Sequence, residues 1–104
     1  MGSYSVELTE PAEDDLRGIV RYISAQLSAP MTALKMIATM EEALEGLSEM
    51  PQSRPFVQDE RLASMGYHKL IIEHNIAFFS IDESAMAVNV ERILYARRDW
   101  VHIL

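Results

Sequence analysis

The 104-residue chain has the usual size of one compact domain and no room for two, so a single domain over residues 1–104 is expected. Its 49% apolar and 24% charged residues, with only 4 Gly and 4 Pro, exclude a disordered or fibrous polymer, and the lack of cysteine excludes disulfides, thiolate metal sites and a Cys nucleophile while fitting a reducing cytoplasm. A net charge of −7 argues against a protein that grips phosphates over a broad surface.

Tyr4-Ser5-Val6-Glu7-Leu8 alternates apolar and polar side chains, the pattern of a strand half-buried against a core. Thr9 can cap a following helix, Pro11 suits a first turn whose amide needs no acceptor, and Glu10, Glu13, Asp14 and Asp15 favour the positive end of the helix dipole. Leu16, Ile19, Val20, Ile23 and Leu27 then recur at three- and four-residue steps, which predicts a helix over about residues 10–27. After Ser28-Ala29-Pro30 the stripe resumes with Leu34, Ile37, Met40, Ala43, Leu44 and Leu47 until Pro51, so the two helices form a hairpin. Residues 51–65 read as a loop with room for one helical turn.

Three β-like runs follow, Tyr67 to Glu73, Ile76 to Ile81 and Ala87 to Tyr95, joined through His74-Asn75 and Asp82-Glu83-Ser84, and connections this short imply an antiparallel meander. Arg97 to Leu104 reads as a short tail helix or turn that buries Trp100 and Leu104. The expected architecture is α+β, in the chain order β-α-α-β-β-β. A four-stranded, largely antiparallel sheet carries the helical hairpin on one face, with a short C-terminal helix and the other face left for function. No stretch approaches the roughly 20 apolar residues that span a bilayer, and no export signal is apparent, so a cytoplasmic protein without membrane contact is expected. Charge is uneven: residues 1–53 hold nine acidic and three basic side chains (net −6) and residues 54–104 hold seven and six (net −1), so any nucleic-acid contact belongs to the second half.

Several pieces, in this order and spacing, resemble the RelE/ParE superfamily of toxins, also grouped with plasmid-stabilisation proteins. They are Pro11-Ala12-Glu13-Asp14-Asp15-Leu16, Ile19 with Tyr22-Ile23, Ala43-Leu44 before Met50-Pro51, Asp59-Glu60-Arg61-Leu62 leading to Gly66-Tyr67-His68-Lys69-Leu70, and Arg92-Ile93-Leu94-Tyr95-Ala96-Arg97-Arg98-Asp99-Trp100. The resemblance covers nearly the whole chain. It implies the toxin of a type II toxin–antitoxin module, inhibiting growth when free and silenced by a cognate antitoxin encoded beside it. The implied target is DNA gyrase or ribosome-bound messenger RNA; the alternative is a degenerate member that only binds its antitoxin.

Cleaving RNA through its own 2′-hydroxyl needs a base, an acid, and cations for the charge building on the phosphate. In the nuclease branch these are lysines and arginines of the sheet and a Tyr or His near the C-terminus. By resemblance, Tyr95, Arg92 and Arg98 are the candidate catalytic residues, and His68, Lys69 and Arg97 the candidate RNA- or target-binding residues. Two departures weaken that set: Asn75-Ile76-Ala77-Phe78-Phe79-Ser80 lacks the arginine that nucleases place there, and Tyr67-His68 stands where Tyr-Arg is common. Strict strand alternation would also put Val88, Val90, Arg92 and Leu94 on one face and Tyr95 on the other, so Arg92 and Tyr95 do not converge unless a bulge or the strand end reorients one of them. Bland roles compete at each position: packing for Tyr95, polar strand positions for His68 and His74, and a tail tether for Arg97-Arg98-Asp99, with Asp99 pairing locally. Neither a metal nor a cofactor is expected, because no second His or carboxylate stands at a metal-ligand spacing.

Overall fold

In the computed structural model, which describes residues 3–98 and 100–104, the N-terminal alternation becomes strand β1 (Ser5–Leu8). Thr9 then stops the strand and starts helix α1 (Glu10–Arg21) with one hydroxyl: its Oγ1 accepts from Ala12 N–H at 3.2 Å and donates to the Glu91 carbonyl at 2.9 Å. Helix α2 (Pro30–Glu45) begins on Pro30, whose fixed φ suits a first turn. The two helices lie on the sheet through Ala12, Met40 and Leu44, which with Leu47 of the turn after α2 pack against Leu70, Ile72, Ala77, Phe79, Val88, Val90 and Ile93 in the main core.

The regular helix predicted to residue 27 ends earlier, at Arg21, and continues as a π-helical turn over Tyr22–Gln26 in which Leu27 N–H reaches back five residues to the Tyr22 carbonyl. The widened turn shifts the phase of the apolar stripe. Ile23 stays buried, whereas Tyr22 and Leu27 come to the surface. On α2, Leu34 is likewise exposed, and Ala33, Met40 and Leu44 form the buried stripe instead.

Strands β2 (His68–Ile72), β3 (Asn75–Asp82) and β4 (Ala87–Tyr95) form the antiparallel meander, and β1 adds to β4 in parallel, giving the spatial order β1-β4-β3-β2. This is the four-stranded α+β sheet expected from the sequence. The turn between β2 and β3 is Glu73-His74, with Glu73 at φ 56°, so Asn75, read as a turn residue, is the first residue of β3.

The second face of the sheet is not free, as it was expected to be. Phe78 and Leu94 point into a smaller core with Val57, Leu62, Tyr67, Trp100 and Ile103, roofed by helices α3 (Glu60–Ser64) and α4 (Trp100–Ile103). Large apolar side chains on both faces of β3 require cover on both, and the Trp100 ring lies 5.1 Å from that of Phe78.

Helix α3 is the turn anticipated within residues 51–65, and its ends account for residues on either side of it. Asp59 accepts from Leu62 N–H at 3.0 Å at the start. At the end, Gly66 at φ 89° donates to the Ala63 carbonyl and Tyr67 to that of Leu62, the paired bonds of a Schellman stop.

Candidate functional site

Parallel pairing of β1 with β4 ends at Leu8 opposite Val90, so the rest of β4 presents an edge without a neighbouring strand. Helix α1 crosses that edge and supplies the missing hydrogen bonds. Thr9 N–H donates to the Val90 carbonyl at 3.0 Å, the Thr9 hydroxyl takes Glu91, and Asp15 Oδ2 accepts from Ile93 N–H at 3.0 Å. A β-bulge sits at this place: Phe78 pairs with Arg92 and Phe79 with Val90, leaving Glu91 as the extra residue. The bulge resets the alternation, so Ile93 joins Val88 and Val90 in the main core, and the strict parity drawn from the sequence fails beyond Val90.

Arg92 leaves the strand at the bulge and closes a bidentate pair with Asp15, Nε to Oδ2 at 2.7 Å and Nη2 to Oδ1 at 2.9 Å. The hydrogen bonds that Arg92 donates to Asp15 raise its pKa, outweighing the desolvation that lowers it. With both partners largely withdrawn from solvent, the guanidinium is engaged by its own carboxylate and fastens α1 to β4.

Beyond this pair the edge opens into a cleft of about 740 Å³ between α1, the π-helical turn, α2 and the ends of β3 and β4. Ile19, Ile23, Met36 and Ile93 give it apolar walls, while Asp14, Tyr22, His74, Asn75, Tyr95 and Arg98 contribute polar groups. Tyr95 is 45% exposed and pairs across the ladder with Asn75. Asn75 is only 6% exposed and lines the cleft.

The six residues singled out from the sequence therefore separate. Tyr95 and Arg98 share the cleft; Arg92 is committed to Asp15; Arg97 is exposed in the turn after β4. His68 is 6% exposed and stacks between Phe56 and Phe79, at centroid distances of 4.1 and 5.3 Å. Its Nδ1–H donates to the Arg54 carbonyl at 2.8 Å, so the buried ring pins the 54–57 segment to β2. Lys69 is half-buried beside it and points to the opposite face, two strands from Tyr95. The local pairing expected of Asp99 lies outside the described residues.

Two residues of the site escaped the sequence reading. Asp15 looked like one more acid of a helix N-terminus, and Asn75 like a turn residue; only the bulge and the two-residue turn reveal them. Among the described residues no group of three or more His, Asp or Glu is placed to hold a metal ion, and no helix is long and apolar enough to cross a membrane.

The family model described as the ParE toxin of type II toxin–antitoxin systems (parDE) matches residues 6–100. A structure of the chromosomal ParDE toxin–antitoxin system from P. aeruginosa is similar in fold, with a TM-score of 0.75 and 21% identity over 91% of this chain and 98% of that one. The crystal structure of the RelBE2 toxin–antitoxin complex from Mycobacterium tuberculosis is also similar, with a TM-score of 0.63 and 22% identity over 91% of this chain and 93% of its match. No curated protein sequence matches the chain.

Proposed function

Given that the chain belongs to the ParE toxin family of type II toxin–antitoxin systems, we propose that it arrests growth in the cytoplasm by binding a protein target, DNA gyrase, and that a cognate antitoxin encoded beside it holds it silent. The observation that carries the choice of target is the Arg92–Asp15 pair. A ribonuclease needs cations that converge on a phosphate next to its acid or base. Here Arg92 is neutralised by Asp15 of helix α1, His68 is buried, Lys69 lies two strands away, and Arg98 is the cation that shares the cleft with Tyr95. The sheet face that could have held RNA is roofed by α3 and α4. Tyr95 and Arg98 thus serve recognition, a task that tolerates an acidic protein with a net charge of −7.

The test is induced expression in bacteria without the antitoxin, with gyrase supercoiling and ribosome-dependent messenger RNA cleavage measured separately. Growth arrest with loss of supercoiling is expected. Tyr95→Phe, which removes only the hydroxyl able to exchange a proton, should stay toxic, its effect changing by less than about threefold, where loss of an acid–base group costs roughly 10²–10⁴-fold. Messenger RNA cleavage that disappears in Tyr95→Phe would replace this reading with the nuclease one, and expression without any effect on growth would leave a member that only binds its antitoxin.

A further inference from the structure

Strand β2 ends the sheet on the side away from β1, and only the beginning of its outer edge is covered. Residues 55–57 cover it there: Lys69 N–H donates to the Pro55 carbonyl at 3.0 Å, and Val57 N–H donates to the Tyr67 carbonyl at 3.1 Å. Strand alternation turns the Lys69 C=O and both backbone groups of Ile71 to the same edge, where no described residue bonds them. The Ile71 side chain is 63% exposed, beside Ile76 of β3 on the face opposite the main core. An open edge with an exposed β-branched side chain at its middle is a template for a further strand.

Charge decides which strand. Lys69 and the exposed Glu73 stand two residues either side of Ile71 with opposite signs, so the edge is complementary to itself in one antiparallel register. When two copies pair about Ile71, Lys69 of each lies opposite Glu73 of the other, and Ile71 lies opposite Ile71. A register centred on Lys69 sets Lys against Lys, one centred on Glu73 sets Glu against Glu, and parallel in-register stacking does both. Like charges directly opposite are destabilising, so the alternatives are disfavoured.

We infer that the chain pairs with a second copy of itself through β2, with the two-fold axis at Ile71, so that two four-stranded sheets join into one. The two Ile71 residues exchange both of their backbone hydrogen bonds, and with the two Ile76 side chains they form an apolar row across the seam. Because residues 55–57 occupy the start of the edge, the seam is short, and the association is weak and concentration-dependent. The net charge of −7 on each copy opposes it, but the seam itself brings one Lys and one Glu from each copy and is locally neutral. This pairing goes beyond the target and antitoxin readings and depends on neither.

Sedimentation equilibrium of the full chain from about 1 μM to 1 mM measures the association, and a monomer–dimer equilibrium is expected within that span. The Ile71 amide should exchange its hydrogen about tenfold more slowly at the dimeric end of the series. Ile71→Lys, at an exposed position where the fold is kept, should leave a monomer throughout the range. Lys69→Glu should raise the dissociation constant about tenfold, since the change acts twice across the axis. Adding Glu73→Lys to it should restore the constant to within about threefold of the unaltered chain. Within one copy the two residues stand four positions apart, roughly 13 Å along a strand, so the rescue must act across the seam. A chain that stays monomeric over the whole range overturns the inference. So does a dimer indifferent to Ile71→Lys, or a Lys69→Glu defect that Glu73→Lys fails to repair. If the unaltered chain is monomeric and Ile71→Lys instead weakens antitoxin binding, the edge belongs to an antitoxin strand and the inference is equally overturned.

Discussion

Arg92 shows how one inserted residue changes the meaning of a side chain. In sequence it is a cation three positions before a tyrosine near the C-terminus, and that wording supports a phosphate clamp. In the fold, the bulge at Glu91 turns it to Asp15, whose Oδ2 also accepts the Ile93 amide at 3.0 Å. Removing Asp15 would leave a partly desolvated guanidinium and a strand-edge N–H without acceptors. Fully buried pairs cost 3–5 kcal/mol when one member is deleted, and partial solvent access reduces this, so Asp15→Ala should destabilise by about 2 kcal/mol. Arg92→Leu should cost less, because it removes the charge together with its need for a counter-ion. Urea unfolding of the two single variants and the double variant measures the coupling; a loss under about 0.5 kcal/mol in Asp15→Ala would mean that the pair is merely a surface contact.

Whole elements were legible where the chain repeats a period, and illegible where it breaks one. The alternation in Ser5–Leu8 and the meander spacing produced four strands, and the three-four steps of Leu16, Ile19 and Ile23 produced the hairpin. Neither the π-helical turn at Tyr22–Gln26 nor the Glu91 bulge could be read, because each adds a residue without changing the apolar composition; the bulge lies where Thr9 and Asp15 bond the edge of β4. The same limit hid the site: Tyr95 and Arg98 were singled out, whereas Asp15 and Asn75 become functional candidates only through those irregularities. Helix α3 is the opposite case, since Asp59 and Gly66 mark its start and stop by rules that operate locally. Gly66 holds φ 89°, and a Cβ there would meet nothing within 4 Å, so the cost of Gly66→Ala is purely that of the backbone. A loss of about 1–2 kcal/mol in urea unfolding is expected, with the native circular dichroism retained. Stability equal to that of the unaltered chain would show that α3 does not depend on its Schellman stop.

For the molecule as a whole, its exposed surface implies that it is stabilised by company. Tyr22, Leu27, Met31 and Leu34 are all more than half exposed on or next to the helical hairpin, and the first two also line the cleft. Large apolar side chains left this exposed are costly on a free protein when they adjoin, and such surfaces are the usual mark of a binding face. If the neighbouring gene product covers it, the complex must be more resistant to unfolding than the toxin alone, because a ligand that binds only the folded state adds RT ln(1 + [L]/Kd) to its stability. At a free antitoxin concentration 100 times Kd this amounts to about 2.7 kcal/mol. For a domain near 100 residues each kcal/mol moves the melting temperature by roughly 4–8 °C, so the shift should reach roughly 10 °C or more. Raising the antitoxin tenfold further should add about 1.4 kcal/mol, a dependence that separates true linkage from nonspecific protection. Differential scanning calorimetry of the toxin across that concentration series is the measurement, and a melting temperature that stays fixed at saturating antitoxin would show that the exposed hairpin face has some other occupant.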